Sequence, residues 1–528
     1  MPKVLVSDAL AAQGVEILER APGFEVVNSP GLSPGELEAA IRDVDGLVIR
    51  SGTKVTADVL AAAERLKVIG RAGIGVDNVD VPAASLRGVV VVNTPEGNNV
   101  TTAELAIALL VSLARHVPQA TASLKAGRWE KKKFQGMELY NRTLGVIGLG
   151  HIGRIVADRA RGLGMRVVAS DPHLSPEVGQ KLDIELLELP ELLARADAIS
   201  VHVPRTKDTV GLIDRDALAR CRPGVLVVNA ARGGIVEEQA LLEALDSGQV
   251  GGAALDVFDQ EPPAPGHPLV NHEHVICTPH LGASTEQAQR NVSISVAEQV
   301  RDFLQDGSVR NAVNLPSISP ERMEQMRPYL LLGEKLGRFQ GQLCAGGIEE
   351  VEIEYAGEVT ELHVAPITIS VLKGMLESVS ERVNLVNAPI VAQEHGIRVI
   401  ETKSSRTVDF ASKVSVRVRG CMDRLIGGAL FYGGQPRIVR VDDFMLEAIP
   451  HGPTILLQNH DQAGVVGAVG SLLGEAGINI SRMQLALDPE RSEAAMLVNV
   501  DPAPDETVME RLRGLSHMIT AQLVDLGP

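Results

Sequence analysis

The stretch Thr143–Asp171, TLGVIGLGHIGRIVADRARGLGMRVVASD, decides the fold. Leu144–Ile147 is a short apolar, partly branched run of the kind that forms a strand buried in a parallel sheet. Gly148-Leu149-Gly150-His151-Ile152-Gly153 follows as a tight glycine turn. From Ile152 to Leu163 apolar residues recur three or four apart, the helical period. Val167–Ser170 restarts a strand, and Asp171 stands at its carboxyl end, 18 residues after Gly153.

Strand, glycine turn, helix and strand in this order are the parts of a dinucleotide site. Gly148 permits the turn, Gly150 presents no side chain to the pyrophosphate, and Gly153 lets helix and strand approach closely. The helix N-terminus offers unpaired N–H groups to the phosphates. Asp171 is placed to accept hydrogen bonds from the adenosine ribose hydroxyls. The same carboxylate repels a 2′-phosphate, and Pro172-His173 supplies no arginine to receive one, so the expected cofactor is NAD rather than NADP.

Outward from this unit, 528 residues are too many for one core and suggest three or four domains. A composition 45% hydrophobic and 22% charged is that of a globular protein. Aromatics are only 2%, with a single tryptophan, Trp129, so the cores are aliphatic. A net charge of −17 argues against nucleic acid or an anionic membrane as partner. Cys221, Cys277, Cys344 and Cys421 are isolated and read as reduced thiols. The chain opens directly on a strand, MPKVLVSD, and no later apolar run is long enough to span a membrane, so a soluble, cytoplasmic protein is expected.

Before the glycine turn, strands and helices alternate: Val4–Asp8, a helix near Ala11–Glu19, Gly46–Arg50, Ala57–Arg65, Val68–Arg71 and Val89–Asn93. This predicts a second α/β unit. Two loops at its strand ends, Arg50-Ser51-Gly52-Thr53 and Arg71-Ala72-Gly73-Ile74-Gly75-Val76-Asp77, lie where open α/β sheets bind ligands, and each has an arginine beside it. From Asn98 one helix is predicted for some 27 residues, ending in GRWEKKKFQG. The basic run Arg128–Lys133 is most simply a solvated surface; its rival role is positive charge for an anionic substrate, in this or a neighbouring subunit.

After the turn, strands at Ala198–Val203, Val225–Asn229, Ala253–Phe258 and Val275–Thr278 alternate with helices, which predicts a doubly wound parallel sheet. A long helix from Ser284 to Leu304 is long enough to return to the first unit, and Pro316–Pro320 reads as a linker. Residues 321 to about 450 predict a small α+β domain without catalytic residues. Residues 453–528 read strand, helix, strand, strand, helix, strand, which is ferredoxin-like.

Three residues at strand ends past the glycine turn form a chemical set. Arg232, in NAARGG, can hold a carboxylate in a bidentate pair. His280, in TPHLG, can move a proton to or from the substrate oxygen as hydride leaves or reaches carbon. Glu261, in DVFDQEP, can orient the imidazole and raise its pKa. Taken singly, each has a plain reading as a loop residue. His272-Glu273-His274 offers a metal-like pair but no third ligand, so an exposed loop and no metal are expected.

GLGHIGR, NAARGGIV, LDVFDQEP and TPHLGAST in this order resemble the D-isomer-specific 2-hydroxyacid dehydrogenases. RAGIGVDNVD, RWEKKKF and the long C-terminal extension resemble the branch of that family that oxidises 3-phosphoglycerate. The resemblance implies a Rossmann-type NAD domain over residues 98–284 and a flavodoxin-like substrate domain over 1–97 and 285–317. It further implies an α+β intervening domain over 318–450 and a ferredoxin-like ACT regulatory domain over 451–528.

The implied catalytic residues are Arg232, Glu261 and His280, with His280 as acid/base. NAD contacts are implied for Gly148, Gly150, His151, Ile152, Gly153, Asp171, Thr206, Ala230, Ala231, Arg232, Asp256, His280, Leu281, Gly282, Ala283 and Ile74. Arg50, Gly73, Ile74, Asn98 and Lys131 would face the substrate. The ACT domain of such enzymes commonly senses L-serine, here through Asp461, Gly464 and Asn479. One departure stands: Asp461-Gln462-Ala463-Gly464 replaces the frequent Asp-Arg-Pro-Gly. A homo-oligomer, dimer or tetramer, is expected. The competing readings are a dehydrogenase for glyoxylate, hydroxypyruvate or another 2-hydroxy acid, and an NAD-sensing scaffold that recruits partners.

Overall fold

The computed structural model describes residues 1–316, 320–344, 347–379, 382–405, 410–420, 422–488 and 490–528. Residues 317–319 of the expected linker and Cys421 lie outside the described residues.

The first sheet has five parallel strands, Lys3–Val6, Glu25–Asn28, Gly46–Ile49, Val68–Arg71 and Val90–Val92, in the order second, first, third, fourth, fifth. That is the flavodoxin order. Branched side chains fill both faces, and Leu5 pairs with Val27 on one side and Leu47 on the other. The helix Glu286–Asp306 covers one face. A Cβ on Gly70 would come within 2.6 Å of Val296 and Val300, so the glycine in the fourth strand sets how closely this helix lies.

The second sheet has seven parallel strands: Thr143–Ile147, Arg166–Ser170, Glu185–Leu186, Ala198–Val201, Val225–Asn229, Val250–Leu255 and Val275–Cys277. Their order is seventh, sixth, fifth, fourth, first, second, third. The direction of winding reverses beside Thr143–Ile147, which puts the glycine turn at the switch point where such sheets bind ligands.

The helix expected to run some 27 residues from Asn98 is instead two, Asn99–Ala114 and Val117–Lys125, bent by 62°. Pro118 is the cause: it has no N–H to give, and its ring cannot pass the carbonyl of Ala114 in a continuous helix. His116 takes the turn with φ 51°. The first of the two is buried along Ala103, Ala106, Leu110 and Leu113, against the second sheet.

Beyond residue 320 a mixed six-stranded sheet is covered by two helices, Pro320–Leu343 and Ala365–Leu376. A Cβ on Gly337 would overlap the Val371 carbonyl and one on Gly341 that of Met375, so glycines seat the helices against each other. The final sheet is antiparallel, with strands Pro453–His460, Asn479–Asp488, Glu493–Asp501 and Met518–Asp525 in the order second, third, first, fourth. Lys335 ties the two units together, with its Nζ donating to the carbonyls of Leu526 at 2.6 Å and Gly527 at 3.1 Å.

Among the described residues no single helix is long and apolar enough to cross a membrane. Cys221 and Cys277 are thiols whose pKa burial pushes up to about 11, so neither ionises near neutral pH.

Candidate active site

The glycine turn is built as a phosphate cradle. Gly148 has φ 88°, and its N–H donates to the Ser170 carbonyl at 2.9 Å. A Cβ on Gly153 would overlap the Gly148 carbonyl, whereas one on Gly150 would meet nothing within 4 Å, so the open face of the turn lies above Gly150. Gly150 caps the helix His151–Gly162, which begins with His151 and Ile152 and has no acidic residue in its first turn. Its positive end is therefore left free for an anion. Asp171 accepts from the N–H of Leu149 at 2.9 Å and of His173 at 3.0 Å, which locks the second strand end to the turn. Open backbone, uncompensated helix end and fixed carboxylate fit an NAD pyrophosphate and ribose. Thr206 lies on an exposed loop, where its N–H donates to Thr209 Oγ1 at 2.7 Å.

Asp256, at the end of the strand Val250–Leu255, organises the next loop. Its Oδ1 accepts from Thr278 Oγ1 at 2.6 Å and from the N–H of Leu281 at 2.7 Å, and its Oδ2 from the N–H of Gly282 at 2.9 Å. Burial raises the Asp256 pKa, and those three donors oppose the rise. The Asp256 carbonyl also accepts the His280 N–H at 2.9 Å, and His280 adopts φ 53°. This bound loop aims the imidazole. His280 Nδ1 meets Glu261 Oε2 at 2.7 Å, while Glu261 Oε1 accepts the Phe258 N–H at 3.1 Å. An ionised carboxylate only accepts, so Nδ1 carries the proton and Nε2 is the free, basic position. Burial pulls the Glu261 pKa up, but the His280 bond, the Phe258 N–H and the charges of His280 and Arg232 together hold it below the usual carboxylate value.

Arg232 follows the strand Val225–Asn229. The Asn229 side chain pins its loop, donating to the Arg232 carbonyl at 2.9 Å and accepting the Ala231 N–H at 3.1 Å, with Ala230 buried beneath. The guanidinium crosses to the first sheet, where Nε donates to Asp77 Oδ2 at 2.9 Å. A Cβ on Gly75 would overlap Arg232 Nη2, so the RAGIGVD loop leaves this path clear.

Gly73 has φ 138° and donates its N–H to Thr94 Oγ1 at 2.7 Å, and the Ile74 carbonyl accepts from Asn93 Nδ2 at 2.6 Å. Arg50 Nη1 donates to the Ala9 carbonyl at 3.1 Å. Asn98 is buried beside Thr102, whose hydroxyl holds the Gly282 carbonyl at 2.8 Å; Asn98 Oδ1 has no partner. Ala283 accepts from Gln289 Nε2 at 3.2 Å, at the start of the helix that returns to the first sheet.

Arg232, Glu261, His280 and Asp256 thus come together, with the Gly73–Ile74 loop reached through Asp77. Lys131 does not join them; it is exposed on the turn after Val117–Lys125. Two participants were not singled out from sequence. Asp77 and Asn229 sat inside quoted motifs, but nothing local announced their bonds to Arg232 and its loop. Arg71 was, with Arg50, the reason those two loops read as ligand sites. His272-Glu273-His274 is a loop in which Glu273 and His274 are exposed and His272 is half-buried near Asp246. Among the described residues no group of three His, Cys, Asp or Glu is arranged to hold a metal ion.

In the last domain, Asp461 and Asn479 are not neighbours. His460 pairs with Glu493 at one end of the strand Glu493–Asp501, and Asn479 pairs with Asp501 at the other. At roughly 3.4 Å per residue this separates them by about 27 Å in one chain.

Residues 107–282 match the family model described as D-isomer specific 2-hydroxyacid dehydrogenase, NAD binding domain. Residues 325–442 match the D-3-phosphoglycerate dehydrogenase intervening domain, and 454–517 the ACT domain. The chain is 43% identical to a Synechocystis protein named D-3-phosphoglycerate dehydrogenase, over 99% of this chain and 95% of that one. It is 42% identical to one of the same name from Archaeoglobus fulgidus, over 99% of this chain and 100% of that one. Among solved structures, the TT0316 protein from Thermus thermophilus superposes with a TM-score of 0.55 at 36% identity, covering 59% of this chain and 99% of that chain.

Proposed function

The chain belongs to the D-3-phosphoglycerate dehydrogenases of the D-isomer-specific 2-hydroxyacid dehydrogenase family, and on that premise we propose how its site oxidises 3-phospho-D-glycerate to 3-phosphohydroxypyruvate, the first step of L-serine biosynthesis. The cofactor is NAD, held by the Gly148–Gly153 turn and Asp171; when bound, it accepts the hydride that leaves C2. The single observation that carries the catalytic reading is the 2.7 Å contact between His280 Nδ1 and Glu261 Oε2. It leaves Nε2 to take the C2 hydroxyl proton, while the adjoining carboxylate stabilises the imidazolium that forms. Arg232 Nε is committed to Asp77 and Nη1 donates to the Ala231 carbonyl at 2.7 Å, so Nη2 and the remaining Nη1 hydrogen take the substrate carboxylate and polarise the neighbouring C2 oxygen. Arg50, Gly73, Ile74 and Asn98 line the rest of the substrate cleft, and Asp256 holds the His280 loop. Any role for Lys131 is in a neighbouring subunit.

We take the enzyme to be a cytoplasmic homo-oligomer, a dimer or tetramer. Exposed Val117, Leu124, Tyr140 and Trp129, the last 82% accessible, support an apolar contact between copies. L-serine is the proposed effector. Because Asp461 and Asn479 stand at opposite ends of one sheet, a site containing both needs the first loop of one copy and the strand start of another. Steady-state assays by NADH absorbance over phosphorylated and unphosphorylated 2-hydroxy and 2-oxo acids test the function. The phosphorylated three-carbon pair should be preferred; equal use of glyoxylate or hydroxypyruvate would favour the related dehydrogenases, and no turnover the scaffold.

A further inference from the structure

A second carboxylate–imidazole pair stands beside the loop that carries Glu261. Glu238 opens the helix Glu238–Asp246, which follows the Arg232 loop, and His267 precedes the short helix Pro268–Asn271, which leads to the strand before His280. Glu238 Oε2 meets His267 Nε2 at 3.1 Å, with the two side chains only 21% and 19% exposed. Glu238 Oε1 accepts the Asp259 N–H at 2.8 Å, one residue along from the Phe258 N–H that Glu261 Oε1 accepts at 3.1 Å. Two carboxylates therefore hold successive N–H groups of one turn. The buried Phe258 ring meets the His267 ring edge to face, with centroids 5.6 Å apart. A Cβ on Gly233, next to Arg232, would overlap the Phe258 carbonyl. The segments that carry Arg232, Glu261 and His280 thus converge on this pair.

Its chemistry suits holding and not proton exchange with substrate. An ionised carboxylate only accepts, so His267 Nε2 carries the proton and Nδ1 is left with a lone pair. That Nδ1 is buried without a partner. In the catalytic pair the order is reversed, with Nδ1 bound and Nε2 free. Asp259 is the further charge at this place. Burial, then the Glu238 charge, raises its pKa, while Arg205, the Gly234 N–H and His267 oppose the rise. What Glu238 and His267 fix is the turn from Phe258 to Glu261, and with it the carboxylate that meets His280 Nδ1.

We propose that Glu238, with His267 as its partner, is a positioning residue for the dehydrogenation: it holds the turn that presents Glu261 to His280 and touches no reacting atom. This rests on the proton relay read above and adds the support on which the relay geometry depends.

The test compares full-length wild type with Glu238→Ala, Glu238→Gln, Glu261→Gln and the double variant Glu238→Ala with Glu261→Gln. NADH formation is followed over roughly pH 6 to 9, alongside thermal unfolding. Glu238→Ala should lower kcat about tenfold, with KM for substrate and NAD within about threefold, and move the acid limb of kcat/KM to lower pH. Glu238→Gln should recover part of the loss. Its amide oxygen still accepts the Asp259 N–H, but its NH2 can bond to His267 Nε2 only after the ring proton has moved to the buried Nδ1. Because Glu238 acts through Glu261, its removal in the Glu261→Gln background should lower kcat by less than about twofold. If Glu238→Ala does not fold, the same limb shift, and the same coupling to Glu261→Gln, must appear with Glu238→Gln. An unmoved acid limb, or losses that multiply in the double variant, overturn the inference whatever the unfolding temperature does. If Glu261→Gln itself keeps the wild-type profile, the relay reading falls, and this inference with it.

Discussion

Glu261→Gln removes one charge and almost no volume from the centre of the proposed proton relay. In the wild type, Oε2 accepts from His280 Nδ1 at 2.7 Å and Oε1 from the Phe258 N–H at 3.1 Å. A glutamine has one acceptor and one donor at these positions. Whichever way the amide turns, its NH2 faces an N–H, of Phe258 or of the imidazole. Hydrogen bonds to charged groups contribute about 1.5–3 kcal/mol. His280 is 45% exposed at its side chain, which screens the charge and favours the lower end. About 1.5 kcal/mol corresponds to roughly a tenfold fall in kcat. The sign of the pH effect follows from the same contact. Glu261 is held below its ordinary value, so across the neutral range the wild-type partner is a carboxylate that stabilises imidazolium. The neutral amide does not, so the acid limb of kcat/KM for oxidation should move to lower pH while the plateau drops. Initial rates of NADH formation over roughly pH 6 to 9 read both. A loss below about threefold with an unmoved limb would refute the relay.

Asp171→Ala should weaken NAD about ten- to a hundred-fold and narrow its advantage over NADP, because a charge-assisted ribose contact and the brace on Leu149 go together. A constant ratio of NAD to NADP efficiencies would remove Asp171 from the ribose. His202 donates its N–H to the Ile147 carbonyl at 2.7 Å beside the glycine turn, and burial lowers its ring pKa from 6.5 to about 4. The folded state therefore refuses a proton that the unfolded chain accepts, so stability is full above pH 6.5 and declines as pH falls toward about 4, by at most about 3 kcal/mol. An NMR titration of the labelled ring with its midpoint near 6.5 would contradict this. L-serine should bind the full-length protein in calorimetry and lose affinity in Asp461→Ala, with the two affinities, for serine and substrate, shifting each other by the same factor. Absence of heat at millimolar serine would leave the ACT domain as a contact between copies.

The dehydrogenase half was legible because its chemistry is written locally. In a parallel sheet every strand delivers its last residues to one edge, so Gly148, Arg232, Asp256 and His280 could each be placed from a strand and the turn after it. What escaped was whatever depends on two distant segments. Arg232 and Asp77 are 155 positions apart, and only the approach of the two sheets reveals that Asp77 takes Nε while Nη1 turns to the Ala231 carbonyl. The straight helix from Asn98 failed on a local rule, since Pro118 breaks it whatever the apolar pattern says. The helix Pro320–Leu343 was not singled out within the expected α+β domain. Gly333, Gly337 and Gly341 are poor helix formers, yet their four-residue spacing puts them on one face, against Ala365–Leu376.

The same distinction bears on regulation. The ACT motif placed Asp461 at a strand end and Asn479 at a strand start, with the site expected between the loop of one copy and the strand start of another. The sheet order puts the intervening strand Glu493–Asp501 between them lengthwise, so a single domain offers an amino acid only half of its polar contacts. Two copies related by a twofold axis would bring the loop of each to the strand start of the other and so form two equivalent sites. An effector bound there stabilises the paired arrangement by mass action, and its signal reaches the rest of the chain through the contacts that fasten this domain, Lys335 onto the carbonyls of Leu526 and Gly527. Serine sensing is on this account a property of the assembly, so its loss on dilution to monomer would accompany, and not merely follow, the loss of the pair.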